Sequence, residues 1–279
     1  MSEEAEMQNP AYVLGHSDRE LSRLKAQARL LEPITQGFLR EAGISDGMRV
    51  LDIGSGAGDV AFLAGELVGP LGTVVGVDRV AAAVAAATAR AQELGLGNVS
   101  FREGDPTRLS FDQPFDAVVG RYVLLFQADP SAMLASVVDH VRPRGLVVFH
   151  EPDWVSARSV PPAPTYDRCR RWLHEVFVSS GMDDNIAEKL YGIFVRAGVK
   201  APAMRMQTFI GRGAAADAFL EALADLITTL APQIEHLGLA TNKEIDITTL
   251  AARMKDEAAT NGSLIIGRSE VVAWGRVGA

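Results

Sequence analysis

Cysteine is almost absent: Cys169 is the single one in 279 residues. One cysteine excludes an intramolecular disulfide framework and any cysteine-cluster metal site, so Cys169 reads as a bystander in a helix. Basic residues are also in deficit, 27 Lys and Arg against 35 Asp and Glu, for a formal net charge of −8. No Lys/Arg run with interleaved aromatics occurs, and nucleic-acid binding by phosphate neutralisation is not expected. No stretch approaches the roughly 18 apolar residues of a membrane span. The longest Ala-rich stretch, 80–91, is interrupted by Thr88 and Arg90. The opening MSEEAEMQNP lacks the basic start and apolar core of a secretory signal, which leaves the cytoplasm as the expected location. No metal site is expected. Asp183-Asp184-Asn185 follows Gly181 and precedes a helix, where an N-cap explains it better.

What is present is a large apolar fraction, 48%, enough for a sizeable core. Residues 17–42 read as a helix opened by a Ser17/Glu20 capping box, with Leu21, Leu24, Ala28 and Leu31 at helical spacing. Pro33 should kink or restart that helix and Gly43 should end it. Strands are expected at about 49–53, 73–78, 98–102, 116–120 and 145–150, separated by helices at about 57–68, 80–94 and 130–141. Apolar strands with helical crossovers imply a parallel sheet covered on both faces. After Pro152 the alternation breaks. Residues 155–164, rich in Ser and Pro, read as a linker, and 165–180 and 184–197 as helices. Residues 203–210 read as a strand, 214–260 as mostly helical, and 269–277 as a closing, antiparallel strand.

The first strand runs into Asp52-Ile53-Gly54-Ser55-Gly56-Ala57-Gly58, and the second, Val74-Val75-Gly76-Val77, ends in Asp78. A strand, a glycine turn opening a helix, and an acid at the tip of the next strand together hold an adenosine-containing cofactor. Glycines let a ligand approach the backbone, and the helix start offers free N–H groups to an anion. The dinucleotide spacing G-x-G-x-x-G is not met: the third glycine comes one residue early, and the expected position is Asp59. Asp52, two residues before the first glycine, would repel a pyrophosphate but attract an ammonium group. A phosphate P-loop is excluded because no Gly-Lys-Ser/Thr follows. A ligand that carries a carboxylate and an amino group beside its adenosine, S-adenosylmethionine, meets both needs.

With Gly104-Asp105, Phe115-Asp116-Ala117-Val118-Val119 and the Arg142-Pro143-Arg144-Gly145-Leu146 turn added, residues 46–153 resemble a class I S-adenosylmethionine-dependent methyltransferase of the bacterial small-molecule type. The resemblance implies a Rossmann-like, mostly parallel seven-stranded sheet with helices on both faces, an N-terminal helix and a helical cap. By position, Asp52, Gly54, Ser55, Gly56 and Gly58 would hold the methionine end of S-adenosyl-L-methionine, and Asp78 its ribose, with Arg79 beside the adenine. Gly104, Asp105 and Pro106 would edge the adenine. Pro106 departs from the small residue usual there and lacks an N–H. Arg121 and Tyr122 would floor the pocket near the sulfonium. Tyr12 and Gln27 resemble residues of an N-terminal helix that closes over the cofactor in a subset of these enzymes, the alternative being a helix that covers a sheet edge.

Methyl transfer is an in-line displacement, so orientation supplies much of the acceleration, and a base is needed only where the acceptor loses a proton. The candidates lie in the loop after the fifth strand, His150 and Glu151, with His16 and His174 less well placed. The division expected is 1–45 as an N-terminal helical lid, 46–154 as the cofactor-binding core, 155–198 as linker and cap helices, and 199–279 as closing strands with a helical insertion at about 214–260. Trp154, Trp172, Phe177, Phe219 and Leu220 line an apolar acceptor pocket or form ordinary core. The function expected is methyl transfer to a small, apolar organic acceptor, with S-adenosyl-L-homocysteine as product. Oligomeric state is open, a homodimer included. The alternatives are an S-adenosylmethionine-binding protein without methyl transfer and a nicotinamide-dependent oxidoreductase, which Asp52 and the early third glycine oppose.

Overall fold

The computed structural model describes residues 18–278, with side chains from Leu30 onward. Tyr12, His16 and the Ser17 cap lie outside the described residues, and Gln27 is described as backbone only. The helices are α1 (Asp18–Ala42), α2 (Asp59–Val68), α3 (Ala81–Glu93), α4 (Pro130–Val138), α5 (Pro164–Ser179), α6 (Ile186–Arg196), α7 (Asp217–His236), α8 (Asn242–Ile245) and α9 (Leu250–Asn261). The strands are β1 (Arg49–Ile53), β2 (Thr73–Asp78), β3 (Val99–Glu103), β4 (Phe115–Arg121), β5 (Val141–Asp153), β6 (Arg158–Val160), β7 (Ala203–Gly211) and β8 (Leu264–Arg276). They form one eight-stranded sheet in the order β3-β2-β1-β4-β5-β8-β6, with β7 also pairing with β8. β1, β2, β3, β4 and β5 pair in parallel, which crossover connections permit and hairpins do not.

The α/β class and the mostly parallel sheet agree with the sequence, but the strand number does not. The additional strand, β6, lies in the stretch that reads as a linker. It pairs antiparallel with β8 through Arg158↔Ile266 and Val160↔Leu264, a partner far along the chain that no local signal announces. Of the two outcomes expected at Pro33, a restart does not occur, because the proline sits inside an unbroken α1. A proline in a helix interior costs about 3 kcal/mol. Leu31, Phe38 and Leu39, each 4% exposed or less, contribute about 1.5–3 kcal/mol apiece by burial, and that sum keeps the helix continuous.

The chain divides into two compact units. One comprises Leu30–Pro152, Ile186–Gln207 and Glu270–Ala279. Its main core joins Phe38 and Leu39 of α1 and Val60, Leu63 and Val68 of α2 to Val50, Val74, Ala117 and Val148 on one sheet face. Phe149, the next residue of β5, meets Phe194 of α6 at 6.3 Å, as alternation across a strand requires. The other unit is built mainly of Asp153–Asn185 and Thr208–Ser269. There Trp154, Trp172, Phe177 and Leu220 are all buried, and Phe219 stacks on Phe209 at 5.0 Å. These contacts are those of a core. Cys169 is fully buried in α5, and burial pushes its thiol up to about 12. Among the described residues no helix is long and apolar enough to cross a membrane.

Candidate cofactor and catalytic site

The site assembles where β1, β2, β4 and β5 end, the carboxyl edge at which parallel sheets carry ligands. β1 delivers Asp52 and turns through Gly54, Gly56 and Gly58, all with positive φ (64°, 51° and 91°). The turn is locked from within by Gly58 N–H donating to Ser55 C=O at 2.8 Å and Ser55 N–H donating to Val77 C=O at 3.0 Å. A side chain would be strained at all three glycines by the positive φ, but the space around them differs. A Cβ on Gly58 would come within 2.7 Å of Phe101 and 2.8 Å of Phe62, whereas one on Gly56 would meet nothing within 4 Å. Gly56 therefore fronts open space.

Asp78 is fastened to this turn. One carboxylate oxygen accepts from Gly56 N–H at 2.8 Å and the other from Val80 N–H at 2.9 Å. Gly104 N–H donates to the Asp78 carbonyl at 2.9 Å, which brings the β3 end alongside. Asp105 accepts from the Thr107 hydroxyl and N–H through one oxygen and from Arg79 through the other, at 2.7, 3.0 and 3.0 Å. Burial pushes the Asp105 carboxyl up, but the Thr107 hydrogen bonds and the Arg79 guanidinium outweigh it and hold the carboxyl below its ordinary range. Arg79 is thus engaged by Asp105 rather than free. Pro106 is buried, and its carbonyl lies 2.8 Å from His140 Nε2.

Two polar side chains at the turn are left unmatched. Neither carboxylate oxygen of Asp52 nor the hydroxyl of Ser55 has a hydrogen-bond partner among the described residues, although Asp52 is 1% exposed. Burying such a group without a partner is costly. Burial raises the Asp52 pKa to about 8, against the pull of Arg121 and with the push of Asp78 and Asp59. The Ala61 N–H in the first turn of α2 lowers it slightly without reaching hydrogen-bond geometry. Unmet polar atoms beside an open glycine fit a ligand that brings an ammonium and a carboxylate.

The two catalytic candidates lie within β5, which runs on to Asp153, rather than in a loop after it, and they point into different networks. Glu151, fully buried, accepts from Val123 and Leu124 N–H through Oε1 at 2.9 and 2.7 Å, and its Oε2 has no partner among the described residues. Burial pushes it up to about 8, in spite of those backbone donors. Val123 in turn packs on the glycine turn, 2.9 Å from where a Gly54 Cβ would be. His150 is 3% exposed, with Nδ1 3.3 Å from Thr35 Oγ1 and Nε2 2.9 Å from Glu270 Oε2. Tyr122, held at φ 59°, donates its hydroxyl to the same Glu270 oxygen at 2.7 Å. Arg121 donates to Thr35 Oγ1 at 3.1 Å and lies 3.8 Å from Asp59.

Sequence reasoning missed Thr35 and Glu270. Glu270 did leave a signal, a lone charge at the start of the apolar run Val271-Val272-Ala273. Thr35 left none. Asp183 Oδ1 accepts from Asn185 N–H just before α6, and Asp184 pairs with His174 Nδ1 at 2.6 Å.

A doubly wound sheet with an acid and an open glycine turn at its first βα junction defines a Rossmann-like domain for an adenosine-containing cofactor. The particular family follows from comparison. The methyltransferase domain profile matches residues 44–198, and the chain belongs to that family, in the class I group that its motifs resemble. It is 36% identical over 114 residues to an arsenite methyltransferase of Aquipseudomonas alcaligenes, 38% of this chain and 33% of that protein. It is 38% identical over 116 residues to the nocamycin O-methyltransferase of Saccharothrix syringae, 41% of each. It is 37% identical over 107 residues to the aklanonic acid methyltransferase DauC of a Streptomyces, 38% of this chain and 49% of that protein. The chain thus spans about a third to a half of the length of these curated relatives. Among solved structures, the YcgJ protein of Bacillus subtilis has the same fold with a TM-score of 0.56 at 21% identity, over 88% of this chain and 99% of that one. The [4+2]-cyclase SpnF has it with a TM-score of 0.53 at 20% identity, over 88% and 82%.

Proposed function

We propose that this chain transfers a methyl group from S-adenosylmethionine to a small organic acceptor, in the cytoplasm. The observation that carries the reading is the buried, unmatched pair of Asp52 and Ser55 beside the open Gly56. Asp52 receives the ammonium of the cofactor, and the turn N–H groups and Ser55 hydroxyl receive its carboxylate. Asp78, already fixed by Gly56 and Val80, turns its remaining lone pairs to the ribose. Asp105, kept ionised by Thr107 and Arg79, accepts from the adenine amine, with Gly104 and Pro106 along the ring edge. Arg121, whose charge acts on Asp52, is taken to the amino-acid end of the cofactor rather than beneath the sulfonium. The bound cofactor supplies a carbon activated by a positive sulfur, so the chain's own task is to aim the acceptor and take a proton where one is released.

Glu151 is the base of this reading. Its Oε1 is committed to the backbone, while its Oε2 retains lone pairs to offer. His150, engaged on both ring nitrogens, serves as a support. Two relatives are named for the organic compounds nocamycin and aklanonic acid, which favours an acceptor of that kind. A soft arsenite acceptor would call for thiolates, and the single cysteine is buried with its thiol pushed up to about 12.

Calorimetry tests the reading. S-adenosylhomocysteine should bind and NAD should not; the reverse result would overturn it. Labelled cofactor with a panel of phenols, enols and amines then separates a methyltransferase from a protein that uses the same pocket otherwise.

A further inference from the structure

A line of polar contacts, buried beyond the half-buried Asp59, crosses the cofactor-binding unit from α2 to β8. Asp59 stands 3.8 Å from Arg121, Arg121 donates to Thr35 Oγ1 at 3.1 Å, and Thr35 Oγ1 is 3.3 Å from His150 Nδ1. His150 Nε2 is 2.9 Å from Glu270 Oε2, which also accepts from the Tyr122 hydroxyl. Thr35, His150 and Glu270 are each 4% exposed or less, and the Arg121 side chain is 11% exposed.

The chemistry of these groups gives the line a direction. A guanidinium only donates, so Arg121 fills a lone pair of the Thr35 hydroxyl. With a neutral imidazole, the Thr35 proton goes to Nδ1. Nε2 then carries the ring proton and donates it to the Glu270 carboxylate, the tautomer being set by the partner on the other nitrogen. Among the described residues each contact of the line then pairs a donor with an acceptor, and such agreement holds a buried network in one geometry.

We propose that Thr35, on α1, is a positioning residue of the cofactor site: its hydroxyl, ordered by the His150–Glu270 pair, holds the Arg121 guanidinium toward the amino-acid end of the cofactor. This rests on the reading of the pocket as an S-adenosylmethionine site. It gives α1 a part in cofactor binding through a residue beyond Pro33, near the helix's C-terminal end. The guanidinium needs such a brace because Asp59 alone, at 3.8 Å and already paired with Arg90 at 2.9 Å, fixes its direction poorly. The hydroxyl adds a second, directional contact to the other nitrogen.

The test compares two ligands on three proteins. S-adenosylhomocysteine has the amino-acid end; 5′-methylthioadenosine keeps the adenosine and sulfur and lacks it. Thr35→Val should weaken S-adenosylhomocysteine by about tenfold, the scale of one charge-assisted hydrogen bond, and leave 5′-methylthioadenosine within about twofold. Thr35→Ser, which restores the hydroxyl, should recover most of the loss. Equal weakening of both ligands, or no recovery in Thr35→Ser, would assign Thr35 to packing and overturn the proposal. If Thr35→Val does not fold, Glu270→Gln read with the same two ligands carries the test, with selective loss of S-adenosylhomocysteine expected and equal loss of both overturning it. Failure of the wild-type chain to bind S-adenosylhomocysteine would instead strike the pocket reading.

Discussion

At the residue scale, the chemistry concentrates in two buried acids that the fold treats alike and uses differently. Asp52 and Glu151 are both pushed up to about 8 by burial, so each is mostly protonated at neutral pH in the ligand-free chain, and Glu151 serves as a base through its ionised fraction, which grows as pH rises toward 8. An ammonium arriving at Asp52 favours the carboxylate, and the proton must leave. S-adenosylhomocysteine binding at pH 7 should therefore release close to one proton, seen as a dependence of the calorimetric enthalpy on the ionisation heat of the buffer. Its affinity should rise with pH up to about 8 and then level, and Asp52→Asn should abolish both effects. Glu151→Gln keeps an oxygen for the Val123 and Leu124 N–H groups. It should lower turnover of a proton-releasing acceptor by about 10²–10⁴-fold with cofactor affinity unchanged; unaltered turnover would remove Glu151 from the chemistry. Asp52 could be read from the sequence because it lies two residues before a glycine turn. The difference between Glu151 and His150 could not, because it depends on Thr35 and Glu270, which come from elements far apart in the chain.

At the scale of elements, the glycine turn separates stability from binding. Gly58 is packed against Phe62 and Phe101 at φ 91°, whereas Gly56, at φ 51°, faces open space. Gly58→Ala adds steric overlap to left-handed strain and should destabilise the chain by about 2–4 kcal/mol, lowering Tm. Gly56→Ala should cost only the left-handed strain, about 1–2 kcal/mol, yet weaken S-adenosylhomocysteine at least tenfold because the methyl occupies the approach. Similar effects of the two substitutions on Tm and on binding would refute this division. The positive φ at all three positions explains the need for glycines, and the hydrogen bonds hold the turn in that shape: Ser55 binds back to β2, and Gly56 donates to Asp78. The early third glycine sets Asp59 at the start of α2, where its carboxylate suits the helix N-terminus and pairs with Arg90 at 2.9 Å.

At the scale of the whole molecule, stability and pH are linked through the same acids. In the folded chain Asp52 and Glu151 bind protons up to about pH 8, against ordinary values of 3.8 and 4.5. Between those limits the unfolded chain holds fewer protons, so their contribution to stability falls as pH rises from about 4 to 8. The Tm of the ligand-free protein should show this decline between pH 5.5 and pH 8.5 or so, and saturating S-adenosylhomocysteine should flatten it by satisfying Asp52. A decline that persists unchanged in Asp52→Asn and Glu151→Gln would place its origin elsewhere. The sequence by itself determined the α/β class, the first five strands and the glycine turn with its two acids, because hydrophobic period and turn chemistry are local and the helices and strands they specify adjoin along the chain. Tertiary structure alone decided that 158–160 would pair with β8, that α1 would continue past Pro33 without a restart, and that Thr35, His150 and Glu270 would meet. Each of those outcomes is fixed by burial and hydrogen bonding between segments distant in sequence, whose local signals are weak or point the other way.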